Sequence, residues 1–357
     1  MDTQTLTLDL QHIDAAAIDK AAALLRSGEL VAFPTETVYG LGADALNPTA
    51  VGRIFEVKGR PANDPIIVHI ASADQLAEVA VDPPAVVVAL AAKFWPGPLT
   101  VVLNRASKVA ANVGGGRSTV GVRVPNHPIA QALIRAAGVP VAAPSANLFG
   151  HTSPTSAHHV LDDLNGKIPL ILDGGPTPVG VESTVIDLSV DPPQLLRPGG
   201  VTLEAIETFL PNIVTVTHYA LPDDGALSGP GMLEKHYAPR AELRLIEGTD
   251  GAIRRAILKL SNQLLDQGKK VGLLIATDDK NALPGLDNSI EIVTVGPLKD
   301  LDKVAKNLYE GMRKLDARSV DVILARSFPT DGIGAAIHDR LVRAARGQVI
   351  QAEQVLQ

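Results

Sequence analysis

The sequence predicts an α/β protein of two domains that are joined by a linker rich in proline and glycine. The chain is 357 residues long, which is more than one ordinary hydrophobic core accommodates. Strand-like and helix-like patterns alternate before and after residues 211–240, and that segment itself is crowded with prolines and glycines. We therefore expect one domain at 1–210, a linker at 211–240 and a smaller domain at 241–357.

The first domain is expected to alternate helices and strands around a mixed sheet. Its first helix is rich in alanine and leucine, with Asp14 as the N-cap and Gly28 as the residue that stops it. Strands are predicted at 29–33, 66–71, 99–104, 119–124, 139–143, 169–172 and 183–188. Further helices are predicted at 48–57, 73–80, 84–93, 127–137 and 155–162.

The second domain repeats the alternation of strand and helix in a smaller unit. Strands are predicted at 242–246, 270–276, 290–294 and 320–325, and helices at 250–267, 299–316 and 335–346. This order predicts a small, doubly wound, Rossmann-like sheet. Gly332 and Gly334 open the last helix, and we attribute them to helix packing because they form only half of a dinucleotide-binding fingerprint.

The composition excludes several classes of protein. Hydrophobic residues make up 46% and charged residues 20%, which is typical of a globular chain. Aromatic residues make up only 3%, which argues against a surface that stacks unpaired bases. The absence of cysteine excludes disulfides, thiolate nucleophiles and thiolate metal sites. No signal-like segment or apolar run of membrane-spanning length occurs, so we predict a cytoplasmic protein without membrane contact.

The net charge of −7 comes from the first domain. Residues 1–210 hold 13 Lys and Arg against 20 Asp and Glu, whereas residues 211–357 hold 19 of each. Since neither part is basic overall, strong nonspecific binding to nucleic acid is not expected. Within the first domain, several cations nevertheless lie within two residues of a glycine or proline, and five of these predict a local anion site. They are Lys58, Arg60, Arg117, Arg123 and Arg197.

Five segments place hydroxyl, amide and cationic side chains at the ends of predicted strands, where stiff elements would hold a preformed site. They are residues 33–46, 57–70, 114–125, 139–155 and 180–199. The three glycines at 114–116 can turn backbone N–H groups toward an anion, and Arg123 follows inside an apolar strand, where an unpaired charge is costly. Each segment alone could be an ordinary turn. No P-loop, complete GxGxxG or HExxH motif occurs, and we expect no metal held by the protein alone.

Taken together, these segments resemble the YrdC-like family. Lys58-x-Arg60 combined with Ser145-x-Asn147 is similar to that family's signature. The strings PTETVYGLG, GVRVP, SAN, ESTV and RPG follow the family pattern in the same order. PGMLEKHYAP with a second domain after it is similar to the long, two-domain form of the family, the L-threonylcarbamoyladenylate synthases.

The resemblance implies a YrdC-like fold, in which a twisted, mostly parallel or mixed sheet carries a concave, positively lined cavity. It implies a nucleotidyltransferase that joins L-threonine, bicarbonate or CO₂, and ATP into threonylcarbamoyl-AMP and pyrophosphate. Mg²⁺ would enter with the ATP phosphates. The product would pass to a tRNA-modifying threonylcarbamoyl transferase, which acts on the adenosine next to the anticodon.

The resemblance also implies roles for individual residues. Lys58 and Arg60 would be the catalytic residues. Threonine or its carbamate would be held by Thr37, His69, Arg123, Ala143 and Ser183. The nucleotide would be held by Lys58, Arg60, Thr119, Ser145, Asn147, Ser153, Arg197 and, from the linker, Tyr237. The family often has Asn four residues after Arg60, whereas this chain has Asp64 there with Asn63 before it, so the nucleotide contact falls on Asp64 or Asn63.

The expected mechanism is electrostatic. The carbamate of threonine would attack the α-phosphorus of ATP, and Lys58, Arg60, Arg123 and Arg197 would offset the repulsion between these two anions. The linker would act as a lid that excludes water. Two other functions stay open at this point: a noncatalytic RNA-binding module, and a carbamoyl-transferring domain like that of hydrogenase maturation proteins. The acidic charge and few aromatic residues argue against the first, and the absence of acylphosphatase and zinc-finger segments argues against the second.

Overall fold

The computed structural model describes residues 2–216 and 237–357. These residues divide into two compact units, the first formed by 2–149 with 153–216 and the second by 150–152 with 237–357. The first unit extends beyond the predicted boundary at residue 210, because a short strand at Val214–Thr215 joins its sheet. Residues 217–236 of the predicted linker lie outside the described residues.

The first unit alternates strands and helices. Its strands are β1 Gln4–Thr7, β2 Val31–Phe33, β3 Gly40–Asp44, β4 Ile67–His69, β5 Leu99–Asn104, β6 Thr119–Arg123, β7 Val141–Ala142, β8 Leu170–Asp173, β9 Thr184–Asp187, β10 Gln194–Arg197 and β11 Val214–Thr215. Its α-helices are α1 Ala15–Arg26, α2 Pro48–Lys58, α3 Leu76–Val79, α4 Val86–Phe94, α5 Pro128–Ala137, α6 Ala157–Leu164 and α7 Leu203–Glu207. Short 3₁₀ helices lie at Ala73–Gln75 and Ala111–Gly114.

Helix boundaries follow the capping chemistry of the sequence. Asp14 accepts the backbone N–H of Ala16 at the start of α1, as predicted. Asn47 caps α2 in the same way, and Pro48 occupies its first position, where a missing N–H costs nothing. Gly59 ends α2 in the left-handed conformation, with φ of 64°. These caps fix where α2 ends and therefore where Lys58 lies.

The sheet of the first unit is mixed, which confirms the predicted fold class. Among the described residues its order is β1-β8-β2-β3-β7-β4-β6-β5-β9-β10-β11. Parallel pairs are β1/β8, β8/β2, β4/β6, β5/β9 and β10/β11. Antiparallel pairs are β2/β3, β3/β7, β7/β4, β6/β5 and β9/β10.

Apolar helices cover only part of one sheet face. Helices α1 and α5 pack on side chains from β8, β2 and β7 of this face, whereas α2 and α6 pack on the opposite face. Farther along the first face, β4, β6, β5, β9 and β10 present buried polar side chains beside a small apolar cluster of Val102, Val185 and Leu196. The polar side chains are His69, Arg123, Thr100, Ser183, Asp187 and Arg197, with Ser183 just before β9. Buried polar groups need partners, so this region is organised by hydrogen bonds and ion pairs.

Several short elements escaped the sequence prediction, including β1, β3, β10 and α7. Strand β3 contains Gly40 and Gly42, in a segment for which the sequence analysis predicted no strand. A Cβ on Gly42 would lie 2.9 Å from both the Phe33 ring and a Val141 methyl, so the neighbouring strands approach too closely for any side chain there. The glycine therefore serves strand packing.

The second unit has the predicted doubly wound sheet. Its strands are β12 Glu242–Glu247, β13 Val271–Ile275, β14 Glu291–Thr294, β15 Val322–Arg326 and β16 Val349–Gln351. Its helices are α8 Asp250–Asp266, α9 Thr277–Lys280, α10 Leu301–Ala317, α11 Gly334–Ala344 and α12 Ala352–Val355. The strands are all parallel, in the order β14-β13-β15-β12-β16. Short elements α9, β16 and α12 were not predicted.

Helices pack on both faces of this second sheet. Leu273 and Ile275 point toward the cluster that contains α8, whereas Leu274 lies against Gly311 of α10 on the other face. A Cβ on Gly311 would lie 2.7 Å from the Leu274 side chain, so glycine permits the close approach of α10. No helix in the described part of the chain is both long and apolar enough to cross a bilayer.

Candidate active site

One face of the first sheet gathers six of the predicted ligand-binding residues. Thr119 and Arg123 lie on the same face of β6, because alternate residues of a strand point the same way. The register of β4 places His69 beside Arg123, and that of β7 places Val141 beside His69, so Ala143 follows on this face. Ser183 and Arg197 reach it from β9 and β10. The cations Arg123 and Arg197 therefore share one face.

Arg123 is held in a buried cage at the carboxyl end of β6. Its Nη1 donates to Thr37 Oγ1 at 3.0 Å and its Nε to the Gly97 carbonyl at 3.2 Å. Its Nη2 lies 2.6 Å from Glu36 Oε1, and both side chains are almost fully buried. The two hydrogen bonds use two of the five guanidinium N–H groups, and Nη2, which pairs with Glu36 by charge, makes no hydrogen bond within the described residues.

His69 is a buried, neutral imidazole on the same face. Burial lowers the pKa of His69 to about 3, and the nearby Arg123 guanidinium adds to this effect. Its ring meets the edge of Phe33, with centroids 6.2 Å apart. Its Nδ1 is buried and has no hydrogen-bond partner within the described residues. A neutral imidazole with an unused nitrogen can donate to or accept from a ligand.

Lys58 joins the two halves of the family signature into one hydrogen-bonded unit. Its Nζ donates to the Ser145 carbonyl at 2.6 Å and to the carbonyl of Asn147, with Asn147 Oδ1 at 3.5 Å. Burial lowers the pKa of Lys58, and Arg60 acts in the same direction, whereas Asp163 and Asp64 oppose it. Three carbonyl acceptors match the three hydrogens of an ammonium group, so the contacts suit the charged form. Lys58 thereby holds the loop that carries Ser145 and Asn147.

Arg60 is oriented by the segment that follows it. Its Nη2 lies 2.9 Å from Asp64 Oδ1 and donates to the Pro65 carbonyl at 2.8 Å. The Asp64 side chain is 0% exposed, so its carboxylate serves as the partner of Arg60. A Cβ on Gly115 would lie 2.6 Å from the Asn63 carbonyl oxygen, which shows that the glycine loop packs directly on this segment. A nucleotide contact from Asp64 or Asn63 stays a prediction.

Arg197 and Ser183 form a third buried group. Arg197 donates through Nε and Nη2 to the Ser183 carbonyl, at 3.1 and 2.9 Å, and Ser183 Oγ lies 2.8 Å from Thr100 Oγ1. The RPGG turn that carries Arg197 needs glycine at position 199. A Cβ there would lie 2.3 Å from the backbone of Ser183 and Thr184. This close approach keeps the guanidinium of Arg197 over Ser183.

Ser153 and Thr119 complete the predicted set in the first unit. Ser153 is fully buried and its hydroxyl donates to Glu182 Oε1 at 2.5 Å. Thr119 begins β6, opposite Asn104 of β5. Backbone hydrogen bonds tie the segments together, from Gly180 N–H to the Thr37 carbonyl and from Tyr39 N–H to the Pro154 carbonyl. All five segments of the first unit are thus connected.

Tyr237 lies in the second unit. It is 2% exposed and its ring centroid is 5.8 Å from that of Tyr309. The guanidinium groups of Arg340 and Arg343 lie 5.0 and 5.8 Å from its ring centroid, which are cation–π distances. A nucleotide contact from Tyr237 stays a prediction. The remainder of the proposed lid, including Lys235 and His236, lies outside the described residues.

Buried carboxylates lie among the site residues, and the sequence analysis gave a role to only one of them, Asp64. Four of them, Glu36, Asp64, Asp163 and Glu182, are each at most 6% exposed and lie next to the predicted ligand-binding groups. Acids therefore pair with Arg60 and Arg123 and lie close to Lys58, in the group of residues expected to be positively charged. A carboxylate between two threonines, as at Glu36, was the available sequence signal. In 2–216 and 237–357, no cluster of three or more His, Asp or Glu residues could hold a metal ion.

Comparisons with known proteins identify the family of the chain. A family model described as "Telomere recombination" matches residues 23–199, and one described as "Threonylcarbamoyl-AMP synthase, C-terminal domain" matches residues 201–346. Threonylcarbamoyl-AMP synthase of Pyrococcus abyssi is 46% identical over 342 residues, which cover 96% of this chain and 97% of the relative. That of Bacillus subtilis is 46% identical over 335 residues, 94% of each chain.

A solved structure shares the whole fold. The crystal structure of P. abyssi Sua5 complexed with L-threonine matches with a TM-score of 0.90 at 44% sequence identity, over 98% of this chain and 99% of that one. Both domain models, both full-length relatives and this structure thus describe the same two-unit architecture. The chain therefore belongs to the threonylcarbamoyl-AMP synthase family.

Proposed function

We propose that this chain is an adenylyl-transferring enzyme that makes threonylcarbamoyl-AMP and pyrophosphate from L-threonine, bicarbonate or CO₂, and ATP. The observation that carries the proposal is the shared sheet face of Arg123 with Thr37 and Arg197 with Ser183. The Lys58–Asn147 unit belongs to the same compact unit of the chain. Full-length similarity to two synthases and to a structure that holds L-threonine supports it.

Threonine and the nucleotide are assigned to different residues of the site. Arg123 has N–H groups that make no hydrogen bond within the described residues, and it is flanked by Thr37 and His69, which suits the carboxylate and hydroxyl of threonine. Threonine or its carbamate is assigned to Thr37, His69, Arg123, Ala143 and Ser183. The nucleotide is assigned to Lys58, Arg60, Asp64, Thr119, Ser145, Asn147, Ser153, Arg197 and Tyr237.

The chemistry requires two anions to meet. The carbamate oxygen attacks the α-phosphorus, and pyrophosphate leaves from the opposite side. Arg60 and Arg197 supply positive charge where the phosphate oxygens gain negative charge, and their buried partners hold them in place before the substrate arrives. Lys58 orders the Ser145–Asn147 loop, and holding reactants in a fixed orientation can lower the barrier by roughly 7–11 kcal/mol.

The chemistry of the reaction indicates how Mg²⁺ enters, where the product goes and in which compartment the enzyme works. ATP arrives as its magnesium complex, so Mg²⁺ belongs to the substrate and needs no dedicated protein cage. The product is a mixed anhydride, which hydrolyses readily and must be used by a transferase that attaches the threonylcarbamoyl group to tRNA adenosine. We place the protein in the cytoplasm, where ATP and tRNA are available.

The test is release of pyrophosphate from ATP with one amino acid present at a time. L-threonine with bicarbonate should drive release, and L-serine or L-valine should drive it much less. Turnover that is independent of the amino acid, or RNA binding without turnover, would reject the proposal.

Site variants sharpen this test. Arg60→Ala and Lys58→Ala should abolish threonine-dependent release, whereas Lys93→Ala, on the exposed side of α4, should leave it unchanged. Tyr237→Ala should raise the KM for ATP. Near-normal turnover in the Arg60 and Lys58 variants would remove those residues from the assignment.

A further inference from the structure

Glu36 is a buried acid at the centre of the site to which the assignments above give no role. It lies between Thr35 and Thr37 and is 4% exposed. The Thr35 hydroxyl bonds the Val38 carbonyl at 2.6 Å and lies 2.8 Å from Thr37 Oγ1, which closes a tight turn around Glu36. The Glu36 carbonyl accepts the N–H of Val179 at 3.0 Å. These hydrogen bonds fix the backbone at Glu36, and Arg123 holds its carboxylate.

The Glu36 carboxylate has one strong partner and unused capacity. Oε1 lies 2.6 Å from Arg123 Nη2, but Oε2 is buried and receives no hydrogen bond from any described residue. An ionised carboxylate can accept about four hydrogen bonds. Leaving a buried acceptor unmet costs roughly 1–3 kcal/mol, so such an atom is expected where a ligand supplies the donor.

The charged and titratable groups around Glu36 come from three elements. Arg123 reaches it from β6, His69 lies beside Arg123 on β4, and His127 approaches from the start of α5. His127 Nδ1 accepts the Ile129 N–H at 3.3 Å, so the proton of the neutral ring is on Nε2. Burial lowers the pKa of His127, and the charge of Glu36 opposes this effect. Arg123 is thus the permanent cation that faces Glu36.

We propose that Glu36 binds the ammonium group of the amino-acid substrate and accepts its proton before the amine is carboxylated. The inference rests on the proposed function. An ammonium group has no lone pair and cannot attack carbon, and an α-amino group is largely protonated at neutral pH. Arg123 binding the carboxylate and Glu36 binding the ammonium would together recognise a zwitterion.

The proposed step balances. The ammonium N–H bond breaks, and its proton forms an O–H bond on Glu36, giving a carboxylic acid and a neutral amine. The amine then attacks bicarbonate, a C–N bond forms and water leaves, giving the carbamate. Glu36 returns its proton to solvent after the product departs.

The test compares the pH profiles of wild type and Glu36→Gln. Glutamine keeps the size of the side chain and can still accept from Arg123, but it cannot take a proton. The variant should use only the free amine, so its kcat/KM for L-threonine should rise roughly tenfold per pH unit from about pH 7 to about pH 8 relative to wild type. Taking the ratio removes the pH dependence of bicarbonate, which is common to both proteins.

A matched control is Asp64→Asn, which neutralises another buried carboxylate of the same site, the partner of Arg60. Its activity ratio to wild type should not change with pH in this way. A constant ratio for Glu36→Gln would overturn the proposal and leave Glu36 as a support for Arg123. Absence of threonine-dependent turnover in the wild type would instead reject the proposed function.

A second measurement needs no variant. The deaminated analogue of threonine, with a hydroxyl in place of the amine, keeps the carboxylate and the side chain. Its inhibition constant for the wild-type enzyme should be at least about tenfold higher than the dissociation constant of L-threonine. The reason is that Glu36 would face a hydroxyl in place of a cation. Equal affinity for the two compounds would overturn the proposal even if Glu36→Gln failed to fold.

Discussion

Acid should destabilise the first unit through His69. Burial lowers the pKa of His69 to about 3, whereas the same group in the unfolded chain has a pKa of 6.5. Between these two values the unfolded chain binds a proton that the folded chain does not. Stability is therefore full above about pH 6.5 and is lost as the pH falls toward about 3.

The structure sets the size of this effect. Each tenfold difference in proton affinity corresponds to about 1.4 kcal/mol, so the whole window corresponds to roughly 5 kcal/mol. That is a large part of the roughly 5–15 kcal/mol that stabilises an ordinary domain. Between pH 6.5 and about pH 4.5, protonation linked to His69 alone should lower the free energy of unfolding by about 3 kcal/mol.

Urea unfolding at a series of pH values measures this loss. Trp95, the single tryptophan of the chain, lies in the first unit, so its fluorescence reports the unfolding of that unit. The stability difference between wild type and His69→Gln should shrink steadily as the pH falls. His12→Gln is the matched control, because that side chain is 85% exposed in the folded chain. A wild-type curve parallel to that of His69→Gln would refute the reasoning.

Three further predictions use the same fluorescence readout. Asp64→Ala should destabilise the first unit by about 3–5 kcal/mol, because it leaves the Arg60 guanidinium buried without its carboxylate, and an unchanged melting temperature would contradict this. Gly199→Ala should cost about 3 kcal/mol or more, since its Cβ would meet the Ser183 backbone at 2.3 Å. Gly59→Ala, with φ of 64° and no atom within 4 Å, should cost only about 1 kcal/mol, so equal losses at the two glycines would argue against the clash.

Local sequence patterns predicted much of the fold. The helix α1 was predicted with its cap because Asp14 and the alanine- and leucine-rich run are both local signals. Strand β5 was predicted with the bounds that the structure shows, Leu99–Asn104, since its apolar run is continuous. Strand β3 was missed because a glycine pair in a sequence is typical of a turn. Its place in the sheet depends on the Phe33 and Val141 side chains of neighbouring strands.

In the candidate site, too, some residues could be predicted from the sequence and others could not. Lys58, Arg60, Arg123 and Arg197 could be predicted, because a cation next to glycine, proline or a strand end is visible along the chain. The acidic partners of these cations could not be predicted. Glu36 meets Arg123 across 87 positions of sequence, and only the arrangement of the strands brings them to 2.6 Å.

By itself the sequence determined the two-domain α/β class, the family resemblance and the kinds of side chain that the site would use, because these depend on composition, period and short motifs. Only the tertiary structure decided which charges face one another. Strand register and order set those distances, and ion pairing is governed by distance and burial, so the pairing of Arg60 with Asp64 and of Arg123 with Glu36 is a property of the folded sheet.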